Sequence, residues 1–70
     1  MKEITSEMAG IISSVLVDKG ETVNIGQEVI MIESMKMQIP VESTVDGIVE
    51  EIKVNAGDFI NEGDVLLLVK

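Results

Sequence analysis

Gln27-Glu28-Val29-Ile30-Met31-Ile32-Glu33-Ser34-Met35-Lys36-Met37-Gln38 can be read as one helix or as two strands, and the choice decides the fold. Gln, Glu, Met and Lys are good helix formers, so propensity alone predicts helix. Periodicity predicts otherwise. Val29–Ile32 is a short apolar run bounded by turn residues, which reads as buried strand. From Met35 onward the apolar residues fall at 35, 37, 39 and 41, with Lys36, Gln38 and Glu42 alternating between them. A period of two means extended chain. Pro40 sits in the same alternation and cannot donate to a ladder, so this strand is expected to run at a sheet edge or to start its pairing irregularly. Only two or three residues separate a strand ending near Glu33 from one beginning near Met37, which is hairpin geometry with Met35 and Lys36 at the tip. Tight hairpins want positive φ at their central residues and usually take Asn-Gly or Asp-Gly there. Met and Lys in those places imply roughly 1–3 kcal/mol of backbone strain, local rule-breaking of the kind found at functional sites.

The hairpin lies between two copies of one pattern. Laying residues 8–33 over 45–69 pairs Gly10 with Gly47, Ile11 with Ile48, Val17 with Val54, Gly20 with Gly57, Asn24 with Asn61 and Gly26 with Gly63. After Gly26 and Gly63 the alignment drops one residue and sets Val29–Ile32 beside Val65–Leu68. Each copy predicts a long strand (Ile11–Val17; Ile48–Val54), a turn (Asp18-Lys19-Gly20; Asn55-Ala56-Gly57-Asp58) and a short bridge (Thr22-Val23; Phe59-Ile60). A second turn and a closing strand follow, Glu28–Glu33 and Val65–Val69. Ile4–Ser6 reads as a short opening strand, in a segment that could equally fray. Two like halves, each too small to cover its own apolar face, bury those faces against one another about an approximate two-fold axis. The symmetry mate of the Lys36 link is the point where Met1 and Lys70 meet, so the tip and the termini are expected at opposite ends.

Residues 1–70 are expected to form a single domain, too small for a large active-site cavity and burying only about 60–65% of its unfolded surface. There is no cysteine and no histidine, which removes disulfides, thiolate metal sites and the commonest general base and metal ligand. No calcium-loop pattern is present, so no metal and no catalytic residue is assigned. Thirteen acidic residues against five basic ones give a net charge of −8, which argues against nucleic acid and anionic membrane surfaces and implies partners with basic patches. Apolar stretches are far too short for a membrane span, and Met1-Lys2-Glu3 leads into no signal-peptide core, so a cytoplasmic location is expected.

An exposed lysine on a hairpin is an ordinary surface residue, and paired methionines ordinarily fill a core or cover a strand end. Lys36 stands apart for four reasons: its place between the repeats, a turn built without turn residues, apolar neighbours on both sides, and the absence of other chemistry in the chain.

Glu33-Ser34-Met35-Lys36-Met37 resembles the biotin attachment motif, a Met-Lys-Met tip preceded by a small residue and carrying biotin on the lysine amine. The resemblance extends over nearly the whole chain, including Gly10, Gly20, Gly26, Gly47, Gly57, Gly63 and the closing Asn61-Glu62-Gly63-Asp64. It is to the biotinyl/lipoyl attachment family, and in size to its small free-standing bacterial members. It implies an all-β flattened β-barrel, or barrel-sandwich hybrid, of two four-stranded antiparallel sheets with internal pseudo-two-fold symmetry. It also implies a non-catalytic carboxyl carrier that is monomeric in isolation. Biotin joined to Lys36 would shuttle carboxyl between biotin carboxylase and carboxyltransferase, or decarboxylase, centres. Biotin protein ligase would be the modifying partner, with Glu33, Ser34, Met35 and Met37 as tip recognition residues. Ser34 stands where the motif often has Ala, and the loop from Val15 to Gln27 leaves no room for the protruding thumb of the acetyl-CoA carboxylase carrier. Lipoyl domains usually place Asp before the lysine and Ala after it, so Met35 and Met37 favour biotin over lipoate. A lipoyl carrier for acyl or aminomethyl transfer and an unmodified interaction module are the alternatives.

Overall fold

The computed structural model describes residues Met1–Lys70, and every regular element in it is a strand. These are β1 (Lys2–Thr5), β2 (Gly10–Val15), β3 (Thr22–Val23), β4 (Glu28–Ser34), β5 (Met37–Glu42), β6 (Gly47–Ile52), β7 (Phe59–Ile60) and β8 (Val65–Val69). They form two four-stranded antiparallel sheets, ordered β1-β8-β6-β3 and β5-β4-β2-β7. The period-two reading of Met37–Glu42 therefore holds against helix propensity. β5 is an edge strand, as Pro40 requires, with Pro40 opposite Met31. No helix is long and apolar enough to cross a membrane.

Between the sheets lies a core of thirteen aliphatic residues, among them Val29, Ile30, Ile32, Leu66, Leu67 and Val69, all without exposed surface. Val, Ile and Leu side chains on alternate or adjacent positions fill such a slot well, because β-branched residues pack closely on a pleated surface. The two halves do more than stack. β3 of the first half pairs with β6 of the second, and β7 of the second pairs with β2 of the first, so each half lends a two-residue strand to the other's sheet.

Backbone hydrogen bonds recur at a constant spacing of 37 residues. Gly57 N donates to Ile12 O and Gly20 N to Val49 O, both at 2.8 Å. Gly63 N donates to Ser6 O and Gly26 N to Ser43 O, again at 2.8 Å. Both sheets carry a bulge at matching places, passing over Ser13 in β2 and Glu50 in β6. The same spacing matches Ile30 with Leu67 and Ile32 with Val69, so the one-residue deletion used to align the closing strands is corrected: no residue is dropped. The correspondence also begins earlier than residue 8. Ser6 and Ser43 are both 2% exposed, and each hydroxyl donates to a carbonyl two residues on, Met8 and Val45 respectively. The opening strand runs Lys2–Thr5 rather than Ile4–Ser6, and it is tied down by pairing with β8. The long strands are shorter than periodicity suggested, ending at Val15 and Ile52, although Leu16 N and Lys53 N still donate across to Val29 O and Leu66 O.

Four tight turns share one construction, with the fourth residue's amide donating to the first residue's carbonyl: Glu21 to Asp18, Gln27 to Asn24, Asp58 to Asn55 and Asp64 to Asn61. In each, the fourth side chain also accepts from the first residue's N–H. Glu21, Asp58 and Asp64 thus brace turns as well as adding charge. Gly20 and Gly57 hold the third position at φ 90° and 96°, as a type II turn demands. Gly10 has a different reason. A Cβ there would stand 2.6 Å from Ile32 Cγ2 and 2.8 Å from the Glu33 carbonyl oxygen.

These two situations separate in a denaturation experiment. A Cβ on Gly20 or Gly57 meets nothing within 4 Å, so Gly20→Val and Gly57→Val should each cost about 1–2 kcal/mol through backbone strain alone. Gly10→Ala should cost more, above about 2 kcal/mol, because backbone must move. Equal stabilities for Gly10→Ala and wild type in urea would remove the close-approach argument.

Candidate functional site

Ser34 and Met37 form the last pair of the β4–β5 ladder, leaving Met35 and Lys36 as a two-residue loop. Their φ angles are 53° and 65°, and no other non-glycine residue has positive φ. Positive φ at both central positions is the signature of a type I′ hairpin, the turn whose twist matches that of its strands. The strands impose the conformation and the residues tolerate it. Left-handed backbone costs a residue with a Cβ roughly 1–2 kcal/mol.

Neither flanking methionine is part of the core: Met35 is 92% exposed and Met37 62%. Lys36 is exposed and, like Lys19 and Lys70, its amine makes no hydrogen bond or ion pair, whereas Lys2 donates to the Asp46 carbonyl at 2.7 Å and Lys53 pairs with Glu51 at 3.4 Å. Ser34 is half-buried at the hairpin base. The Cβ that a residue other than glycine would carry at position 10 lies 3.4 Å from the Ser34 Cβ, so β2 and the hairpin base approach as closely as two small residues allow. Glu33 is exposed on the outer face, between Gln38 of β5 and Ile11 of β2.

Register also locates the tip in the molecule. Following the chain from Gly10, beside Ser34, to Thr22, opposite Ile48, crosses from the hairpin base to the neighbourhood of Lys70, whose amide donates to Ile48 O. Lys2 lies opposite Val69 at that same end. The domain measures 31 × 17 × 17 Å, and the Met35-Lys36 loop and the paired termini lie at equivalent, two-fold-related places of the repeat.

Two grooves open on the sides, of about 550 and 430 Å³, the larger between the edge strands β1 and β5. Neither is lined by any residue of Glu33–Met37. No three His, Cys, Asp or Glu side chains gather as a metal site. The tip is a two-residue loop on which Met35 is 92% exposed, so it can present a group. Sequence reasoning brought Glu33, Ser34, Met35, Lys36 and Met37 together because they are contiguous. It named Gly10 as a position of the repeat and of the resemblance but not as a neighbour of the tip, and it missed the Ile11–Phe59 pair; only the pairing of β2 with β4 and β7 brings them there.

The family profile described as "Biotin-requiring enzyme", for biotin and lipoyl domains, matches residues 2–69. A biotin/lipoyl attachment protein of Bacillus subtilis is 50% identical over 64 residues, covering 91% of this chain and 88% of that protein. A homolog of the biotinylated protein TB7.3 from Mycobacterium leprae is 34% identical over 68 residues, covering 97% and 96%. Among solved structures, the Kluyveromyces lactis urea carboxylase superposes with a TM-score of 0.92 at 30% identity, over 99% of this chain and 6% of that one. With strands, repeat and tip all accounted for, this chain belongs to the biotin/lipoyl attachment family.

Proposed function

We propose that this protein is a biotin carboxyl carrier and that Lys36 is its attachment residue. The observation that carries the reading is an unpaired lysine held in positive φ on a two-residue loop, between two exposed methionines, at the end of the molecule opposite the termini. The amine is free of protein partners and projects from an exposed loop, which fits a residue that enters another protein's active site. In attachment, the Lys36 ammonium first loses one proton, the neutral Nζ bonds to an activated biotinyl carbonyl, the activating group leaves with its electron pair, and the nitrogen gives up a second proton. The lysine charge disappears with the amide, taking the formal net charge from −8 to −9. Biotin, when bound, supplies the atom that accepts and releases a carboxyl group.

The chain's own residues contribute placement. Tethering converts encounter with a free cofactor into delivery at a raised effective concentration. Glu33 lies on the sheet face below the loop, which suits recognition by a partner rather than proton transfer. The partners are biotin protein ligase and the biotin carboxylase and carboxyltransferase, or decarboxylase, centres. The biotinylated mycobacterial relative and the urea carboxylase neighbour support that assignment. Met35 and Met37 support biotin over lipoate.

Intact-mass analysis of the protein from its own cells should show the added mass of one biotinyl group, confined by peptide mapping to Lys36 and absent from Lys36→Ala. A lipoyl mass at Lys36 would transfer the reading to acyl or aminomethyl transfer, and an unmodified protein after incubation with ligase, ATP and biotin would end it. The tip's strain gives a second test. Met35→Asn suits left-handed backbone better and should stabilise the domain by about 0.5–1 kcal/mol in urea titration, while slowing biotinylation. Unchanged stability would show that Met35 is unstrained.

A further inference from the structure

Phe59 is the only aromatic residue in the chain, and it is 67% exposed. A lone exposed apolar side chain needs no explanation, but this one belongs to a row. Register places Gln38, Glu33, Ile11 and Phe59 side by side across β5, β4, β2 and β7, all exposed on the outer face of the sheet that bears the tip. At about 4.8 Å per strand the row spans roughly 14 Å, and it lies two residue pairs, or about 7 Å, below the Met35-Lys36 loop. Ile11 is 47% exposed, so Ile11 and Phe59 make a continuous apolar step beside the Glu33 carboxylate.

The internal repeat supplies a control. At the far end the pair matching Ile11–Phe59 is Ile48–Thr22, with the same backbone pairing and no aromatic. The fold is therefore satisfied by threonine at this position, and the phenylalanine needs another reason. Edge position, aromatic character and exposure describe an anchor for a protein partner.

Resting on the assignment of Lys36 as the attachment residue, we propose that the Ile11–Phe59 step and Glu33 form the docking surface for the biotin protein ligase, whose matching face has an apolar centre and a Lys or Arg rim. Reach selects the ligase over the carboxylase centres. The unmodified lysine has only its four-carbon stem, so an active site that takes the amine must come down over the hairpin and meet the next row of side chains. Once biotin is attached the arm is far longer, and later enzymes can engage it from a distance. The net charge of −8 and Glu33 within the row favour a basic rim on the ligase.

The test compares initial rates of biotinylation, with ligase, biotin and MgATP, for wild type, Phe59→Thr, Ile11→Thr and the far-end control Ile48→Thr. Circular dichroism and melting confirm that each is folded. Phe59→Thr and Ile11→Thr should raise the KM for the domain about tenfold with kcat within about twofold, as loss of a central anchor predicts, and Ile48→Thr should match wild type. Direct binding of the ligase to Lys36→Ala domain, with and without Phe59→Thr, reads the same contact without chemistry and should weaken about tenfold. Wild-type KM and Kd in the Phe59 and Ile11 variants would overturn the docking surface. So would an equal loss in Ile48→Thr, or normal ligation followed by slow carboxylation of the labelled domain, which would give the patch to the carboxylase. An unlabelled wild type that still binds ligase through Phe59 would instead refute Lys36 as the attachment residue and leave the docking surface standing.

Discussion

The double-sided pairing of β4 is the constraint on which the rest of this molecule depends. β4 pairs with β2 on one side and β5 on the other, and it places Val29, Ile30 and Ile32 in the core with no exposed surface. Its last residue, Ser34, closes the ladder against Met37, and Gly10 lets β2 press against the base of that pair. Ladder and close packing together over-determine the course of the chain into the loop, so Met35 and Lys36 have no route but left-handed backbone. A domain this small has a stability of only a few kcal/mol, so two strained residues are a sizeable fraction of it. That strain lies in the loop itself and leaves the core undisturbed.

The symmetry-related strand β8 shows what the same scaffold does without a tip. It pairs with β6 and β1 as β4 pairs with β2 and β5, and Gly47 meets Val69 and Lys70 as Gly10 meets Ile32 and Glu33. Where the first arrangement runs on into the hairpin, the second runs into the chain ends. The proposed carrier role uses this difference between the end that holds the chain termini and the end that holds the hairpin. The chain has no histidine or cysteine, and neither groove reaches the tip.

Much of this was legible in the sequence wherever the governing interaction is local. The period of two from Met35 to Val41 outweighed the helix propensity of Glu, Met and Lys, because burial on one face of a pleated strand depends on alternation. Gly20 and Gly57 announced their turns through the need for positive φ, and a two-residue loop lacking Asn and Gly announced strain at Met35 and Lys36. What was hidden is non-local. Nothing in Thr22-Val23 or Phe59-Ile60 says that each pairs with the opposite half, and the exchange that interlocks the repeat is invisible until strands are paired. Glu21, Asp58 and Asp64 looked like solubilising charge because the amide each receives lies on a folded turn. The row from Gln38 to Phe59 draws on four strands, and only register assembles it.

The central claim is that hairpin geometry, rather than lysine exposure, selects the modified residue. Moving the lysine by one place tests it most directly. One residue along a strand is about 3.3 Å, comparable to the whole distance at which an amine must meet the carbonyl it attacks, and neighbouring positions on the loop direct their side chains differently. Met35→Lys/Lys36→Met and Lys36→Met/Met37→Lys keep composition, charge and exposure while shifting the amine. Ligase-catalysed biotinylation, followed by intact mass on folded protein, should find both swapped proteins nearly unlabelled under conditions that fully label the wild type. Efficient labelling of either displaced lysine would contradict the account, because any exposed amine at the tip would then suffice.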